Sequence, residues 1–360
     1  MRLSKLFFIA LVIVSLPLSA GTQTKDNPQK VFQIGTFDLS WAEFAGGNPS
    51  HTVNFVVGQS SAAKDWYSAQ SAAVLSASTQ PLSANSAPRT ITFSLPESPA
   101  PSYRLRVSFL VREHGVPDVR IGINGRHGMF YLRPELIYAN ERQNPSFSHA
   151  EIEFTFPGNT LHSGTNTITL QAVEDATKAV PGTELTYDAI ELDRSDQTAP
   201  TPSAEMYPTI FYQRKANHLY ELVDVVLHDA MAIKSADSVD IEVAGRHYRN
   251  RVAEAQDFGE TKFEVPIAEF ASGTKAHLTW TADGREQQTT ISLTPAKKWT
   301  IYLVPHIHLD IGYSDYQAKV AAIHSRVVDE AMDLTAKHPG VRFSLDGMWP
   351  LEQFMKTHTV

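Results

Sequence analysis

The sequence predicts a multi-domain, mostly β protein: an N-terminal jelly-roll β-sandwich, a second β-sandwich, then an incomplete α/β (βαβ) barrel start. Three observations predict it. Between residues 31 and 295, apolar residues alternate with period two over short stretches, the pattern of strands that bury one face. Gly, Pro, Asn and Ser separate those stretches and supply turns. After Lys297 the pattern becomes a continuous apolar run followed by apolar residues three and four apart, which reads as a buried strand and then a helix.

In chain order, the N-terminus comes first. Arg2 and Lys5 precede an apolar run over residues 6–18 and the small residues Ser19, Ala20 and Gly21. This is a signal-peptide pattern over residues 1–20, too short for a stable span. The expected location is therefore secreted or periplasmic, with no membrane association after cleavage. Residues 31–193 form the first β region. Within it, 103–111, 151–156 and 166–173 alternate most clearly, and 91–95 adds a strand inside a Ser-, Ala- and Pro-rich stretch. Residues 194–208, with Pro200, Pro202 and Pro208, read as a linker. The second β region spans 209–296, with strands at 219–227, 238–243, 262–267, 276–280 and 289–293 and a hairpin signal at Asp283-Gly284. Residues 297–360 then read as strand 299–304, a helix capped by Ser314 or Asp315, and strand 341–345. The helix carries Val320, Ile323, Val327, Ala331 and Leu334 on one face and stops at Pro339-Gly340. A long crossover between two strands requires a parallel pair.

Bulk properties narrow the function. The chain has 360 residues, 42% hydrophobic and 19% charged, an ordinary globular composition long enough for roughly two or three cores. A formal charge of −8 excludes nucleic acid as the main partner, since phosphate recognition needs clustered cations. There is no cysteine, so any zinc must be held by histidines and carboxylates.

The chemically informative stretch is Pro305-His306-Ile307-His308-Leu309-Asp310. It follows the predicted strand, where ligand sites of parallel α/β domains lie. Residues two apart in an extended segment project to one side, so His306, His308 and Asp310 can face one point. Fourteen histidines are present and a lone His-x-His is commonly accidental. The added Asp, strand end and helix start raise this one to a metal site on an α/β sheet.

The stretch WTIYLVPHIHLDIGYSDYQAKV resembles the opening of the family 38 glycoside hydrolases, the retaining, zinc-dependent α-mannosidases. VRFSLDGMWPLEQFM resembles the same family's second strand and following helix. By position, the resemblance implies His308 and Asp310 as zinc ligands and Tyr313, where Trp is common in the family, as the aromatic that stacks on the bound sugar. The family's nucleophilic Asp, its acid and its remaining His ligand have no counterpart up to Val360. Asp346 lies too close to the first motif to be the nucleophile and reads as a loop residue. The segment thus looks like a truncated catalytic domain with a zinc half-site, expected to be inactive alone; its missing remainder is an expected partner. The rival enzyme class is the amidohydrolases, in which both His306 and His308 would bind metal and Asp310 would be dispensable.

In the first β region, VFQIGTFDLSWAEFA, YRLRVSFLV, VRIGINGRHGMFYL, NTITLQAV and LTYDAIELDR resemble the C-terminal β-sandwich of polysaccharide lyase family 4, similar to galactose-binding-like and carbohydrate-binding modules. The resemblance implies a carbohydrate partner, a mannose-containing or plant cell-wall glycan. Trp66, Tyr103, Asn124, Arg126 and Tyr131 could supply stacking and polar contacts, though packing is the ordinary role of each. Asp38, Asp188 and Glu191 are candidates for structural calcium. The second β region carries no site motif and reads as a brace. A carbohydrate-binding protein without catalysis is the non-enzyme alternative.

Overall fold

The computed structural model describes residues 29–75, 82–96, 99–111, 115–133, 135–136, 148–175, 182–196, 201–229, 238–252, 256–282, 284–311 and 313–358. The expected signal peptide lies outside them, as do residues 197–200 of the expected linker and Asp283 of the hairpin signal. The chain forms two compact units, Met1–Ala296 and Lys297–Val360.

The first unit is built on three sheets. In one, the strands run in the order Gln29–Gly35, Glu184–Ser195, Ser102–Val111, Ser148–Pro157, Glu135–Leu136. It faces part of a nine-stranded sheet in which Arg126–Phe130, Asp118–Ile123, Gly164–Asp175, Arg89–Leu95 and Asn54–Val56 lie side by side. Alternation decides which residues meet between the layers. Leu105, Val107 and Phe109 from one sheet and Ile91, Phe93, Ile121, Ile168 and Leu170 from the other belong to one buried cluster. Each such side chain contributes roughly 1.5–3 kcal/mol on leaving water.

One buried cation sits in this core. Arg89 is fully buried; its guanidinium donates to the carbonyls of Tyr67 and Ala69 and lies over the rings of Tyr187, at 4.9 Å, and Trp66, at 5.6 Å. Burial lowers its pKa, opposed by the Tyr187 hydroxyl. Burial also pushes the Tyr187 hydroxyl up to about 12, so it stays protonated and donates to Gln70 Oε1 at 2.7 Å.

The same nine-stranded sheet continues into the second β region through Phe258–Ala268, His218–Asp229 and Ser203–Lys215. This half packs on a four-stranded sheet of Arg246–Arg251, Ser238–Val243, Thr274–Ala282 and Arg285–Leu293, around Val223, Val225, Ile241, Leu278 and Trp280. The two β regions are therefore one compact unit sharing a sheet. The expected linker differs accordingly: Ser203–Lys215 is an edge strand paired with His218–Asp229. Its Pro208 is tolerated because the strand is an edge and because the register shifts between Pro208 and Tyr212.

The seam is a two-residue parallel ladder, Phe258 opposite Gly128 and Gly259 opposite Met129. A Cβ on Gly128 would lie 2.4 Å from the Phe258 carbonyl oxygen, and one on Gly259, at φ +96°, 2.7 Å from that of Met129. Only glycine permits this approach. Side chains extend the ladder: Asp257 Oδ2 accepts from His127 N–H at 2.9 Å, Gln256 Oε1 from Met129 N–H at 2.7 Å, and Glu260 Oε2 from Tyr131 N–H at 2.8 Å. Phe258 stacks on Phe154 at 5.6 Å and tilts against Phe130.

In the second unit, His306–Ile307 pairs in parallel with Ser344–Leu345, and helices Gln317–Lys337 and Trp349–Thr357 follow the two strands. The parallel pair joined by a helix agrees with the βαβ reading. No closed barrel is present among the described residues. The apolar run 299–304 is not the buried strand expected: Ile301, Tyr302 and Leu303 are 78–87% exposed. A parallel strand in such a sheet is covered on both faces, and among the described residues this unit's sheet is one pair of two-residue strands. The buried face of the first helix is Val320, His324, Ser325, Val328 and Ala331; Ile323 and Leu334 are exposed. Its start is Gln317, with no side-chain cap, although Asp315 pairs with Lys319.

Gly128→Ala should lower the stability of the first unit by about 1–3 kcal/mol through overpacking against the Phe258 backbone. Gly46→Ala, where nothing lies within 4 Å of the added carbon, should change it by less than about 0.5 kcal/mol. Urea unfolding followed by tryptophan fluorescence checks both; equal effects would show that the seam bears no strain.

Candidate functional site

Two places gather chemically capable side chains, one in each unit. In Lys297–Val360, the strand end positions His308 between two carboxylates. Nδ1 lies 3.0 Å from Asp346 Oδ2 and Nε2 lies 3.6 Å from Asp310 Oδ1. A carboxylate only accepts, so His308 Nδ1 is the donor to Asp346. Asp346 Oδ2 also accepts from Leu309 N–H at 3.4 Å. The Leu309 amide, and after it His308, hold the Asp346 carboxyl below its ordinary value.

Of the residues expected here, His308 and Asp310 are neighbours and accessible. Tyr313 is 93% exposed. His306 lies in the strand pair, opposite Ser344. Among the described residues, no group of three or more His, Asp or Glu is placed to hold a metal. The donor set fits zinc as two ligands, an imidazole nitrogen and a carboxylate. Asp346, which follows Ser344–Leu345, holds the His308 ring through Nδ1; sequence reasoning left it as a loop residue.

The second place is a cleft of about 320 Å³ in the first unit. It opens at the seam between the two β regions. Glu151, Glu153, Phe154 and Thr155 of Ser148–Pro157 form one wall; Phe130 and Tyr131, His228 and Asp229, and Gly259 and Glu260 form the others. His228 and Glu260 are directly opposite in the sheet. Their side chains meet at 3.0 Å through Nδ1 and Oε1, while Nε2 stands 3.4 Å from Glu205 Oε2. Glu205 also binds Arg133 at 3.0 Å, and that guanidinium lies 3.6 Å from the centre of the Tyr207 ring. Burial pulls the His228 pKa down, but Glu260 and then Glu205 outweigh it and hold it above the ordinary value of 6.5. On the adjoining sheet face, Arg106 grips Glu151 with two hydrogen bonds of 2.7 and 2.9 Å, and Arg104 binds Asp193 at 2.6 Å.

The residues weighed as sugar contacts in the first β region divide clearly. Trp66 and Tyr103 are fully buried, Trp66 edge-on to Tyr187 and Tyr103 stacked on Phe156; they are core. Asn124, at φ 49°, is a turn residue bonded to Thr160 and Asn166. Arg126 donates to the Asp257 carbonyl across the seam. Tyr131 alone of the five lines the cleft. Among the calcium candidates, Asp188 is buried and accepts from Ser40 N–H and Ser108 O–H, and Glu191 pairs with Lys30 at 2.9 Å. Both carboxylates already have protein donors. The second β region, read as motif-free, supplies His228, Asp229 and Glu260.

Comparison with known proteins bears on the first β region. Residues 30–192 match the CBM-like family model, polysaccharide lyase family 4, domain III. The match coincides with the span over which the sequence resembles that module. No curated protein matches the chain. Among solved structures, it is similar to a GH2 β-galacturonidase from Eisenbergiella tayi, at 9% identity and TM-score 0.21, covering 57% of this chain and 34% of that one. It is also similar to a β-glucuronidase from Parabacteroides merdae, at 12% identity and TM-score 0.21, covering 67% and 34%. The chain spans about a third of the length of these two structures.

The imidazolium of His228 generates a pH prediction. A histidine whose folded pKa is raised contributes stability that is complete below its unfolded value, about 6.5, and is lost as pH rises through the folded value. The difference in melting temperature between the native protein and His228→Gln should therefore be largest near pH 5.5–6, by about a few degrees, and shrink as the pH rises above 6.5 through the raised folded value. A difference that is constant across this range would remove the ion pair as its source.

Proposed function

We propose that the protein is an exported glycan-acting protein. Its first β region binds carbohydrate, and residues 297–360 are the opening of a zinc-dependent, retaining α-mannosidase-type catalytic domain. The match of residues 30–192 to a carbohydrate-binding-like module carries the first part. The second rests on the Pro-His-x-His-x-Asp resemblance together with the contact of His308 with Asp310, the residue that the amidohydrolase alternative leaves idle.

In this reading, His308 Nε2 and Asp310 would hold zinc, which when bound polarises and orients two sugar hydroxyls. Asp346 keeps the His308 tautomer that presents Nε2. Tyr313 offers its ring to the sugar face. The partner is a mannose-containing or plant cell-wall glycan. The activity assigned to residues 30–192 is glycan binding.

The purified full chain should be retained on at least one neutral or pectic polysaccharide in affinity electrophoresis, with or without chelator. Cobalt(II) at millimolar concentration should broaden the His308 imidazole resonances, and His308→Ala or Asp310→Asn should abolish a zinc-dependent shift while leaving retention intact. Absence of retention on every polysaccharide sinks the sugar-binding reading. Metal effects that follow His306 and ignore Asp310 would favour the amidohydrolase alternative.

A further inference from the structure

The cleft at the seam belongs to neither the lyase-type module alone nor the half-site. We propose that it is a binding site for the end of an uncharged saccharide and that it discriminates against uronate-containing glycans. The inference rests on the carbohydrate-binding reading above and assigns it a place and a ligand charge.

Size comes first. About 320 Å³ stands at the small end of ligand pockets, roughly 300–1,000 Å³, and suits a terminal sugar better than a long run of chain. The lining has the mixed character that a sugar ring needs. Phe130, Tyr131 and Phe154 supply apolar surface for the C–H face, and carboxylates supply acceptors for hydroxyl protons. The wall strand Ser148–Pro157 pairs on its cleft side only at Ser148 and His149 among the described residues. Its remaining backbone N–H and C=O groups on that edge are donors and acceptors for a ligand.

Charge decides the class. Glu151, Glu153, Asp229 and Glu260 all line the cleft. The neighbouring cations are committed: Arg106 to Glu151, and His228 to Glu260. Glu153 differs. Its nearest cations, Arg104 and Arg106, stand at 4.0 Å, beyond hydrogen-bonding distance, and its side chain is 48% exposed. It is the carboxylate with lone pairs to offer to sugar hydroxyls. A ligand carboxylate would instead meet like charge, and the described cations beside it, Arg104, Arg106 and His228, already hold carboxylates; like-charge juxtaposition costs several kcal/mol. The seam also holds the site in shape before any ligand arrives: Glu260 is fixed through one oxygen by His228 and through the other by Tyr131 N–H, so little ordering is needed on binding.

The test uses the full chain with two probe sets of equal length, neutral galacto-, manno- and gluco-oligosaccharides and oligogalacturonides, in calorimetric and ligand-observed NMR titrations. At least one neutral probe should bind roughly ten-fold or more tighter than the oligogalacturonides. Glu153→Gln and Tyr131→Ala should each weaken it by about three- to ten-fold. Glu153→Arg, at a half-exposed position, should reverse the preference toward the uronate. Uronates binding as well as neutral sugars would overturn the inference. So would neutral binding unmoved by all three variants, which would place the sugar elsewhere and leave the carbohydrate reading standing. A chain that binds no saccharide at all loses both. Binding of an extended peptide along the Ser148–Pro157 edge, with no saccharide bound, would also overturn it.

Discussion

The close approach of two backbones at Gly128 and Gly259 is the constraint on which the first unit depends. Two sandwiches, each with its own buried cluster, could fold as beads with a linker between them. Here a ladder of two residue pairs merges them, and so short a ladder would be weak without help. The help comes from Gln256, Asp257 and Glu260, whose side chains accept the N–H groups of Met129, His127 and Tyr131. The Phe130, Phe154 and Phe258 rings then close over the seam. Each device needs the others: the rings meet because the backbones are close, and the backbones are close because neither glycine carries a Cβ.

The seam also explains where polar chemistry collects. Joining two twisted sheets leaves a re-entrant corner beside the strand Ser148–Pro157, and the side chains that satisfy the join line that corner. Glu260 illustrates the double use. One oxygen completes the backbone ladder at Tyr131 and the other holds His228, which in turn leans on Glu205 and, through it, on Arg133. Alternating charge along this chain lets several ionised groups sit together at low cost, since each is flanked by the opposite sign. Glu153 is outside that chain, and its nearest cations, Arg104 and Arg106, stand at 4.0 Å, beyond hydrogen-bonding distance.

Much of the architecture was legible in the sequence because it rests on local pattern. The strand at 238–243 agrees with the structure at both ends, and the others in the two β regions lie within observed strands that extend a few residues further. Two of the misses share a cause. Ser203–Lys215 carries Pro208 and an irregular pattern because it is a bulged edge strand, and composition alone reads such a segment as linker. Arg246–Arg251 is almost wholly polar because one face is solvent and its position is again an edge. The His308–Asp310 pair follows from spacing within one strand end. The cleft does not: His228 and Glu260 are 32 residues apart and meet only through sheet register, which no local periodicity encodes. Gly128 and Gly259 were the available signals, two glycines inside strand-like segments, where close backbone approach is the standard reason for one.

The small unit obeys a different balance. Its polar site is assembled, with Asp346 from the second strand orienting His308 from the first, while the surface that would stabilise the sheet is left uncovered at Ile301, Tyr302 and Leu303. In the seam cleft, by contrast, covering came first and the polar groups are what the covering required. Two carboxylates, Asp310 and Asp346, flank the one imidazole of His308. The two helices meet through the Ser325–Thr357 and His358–Asp329 contacts and the edge-on rings of His324 and Trp349. His308, Asp310 and Asp346 follow the two short strands, whereas the exposed Ile301, Tyr302 and Leu303 precede the first of them.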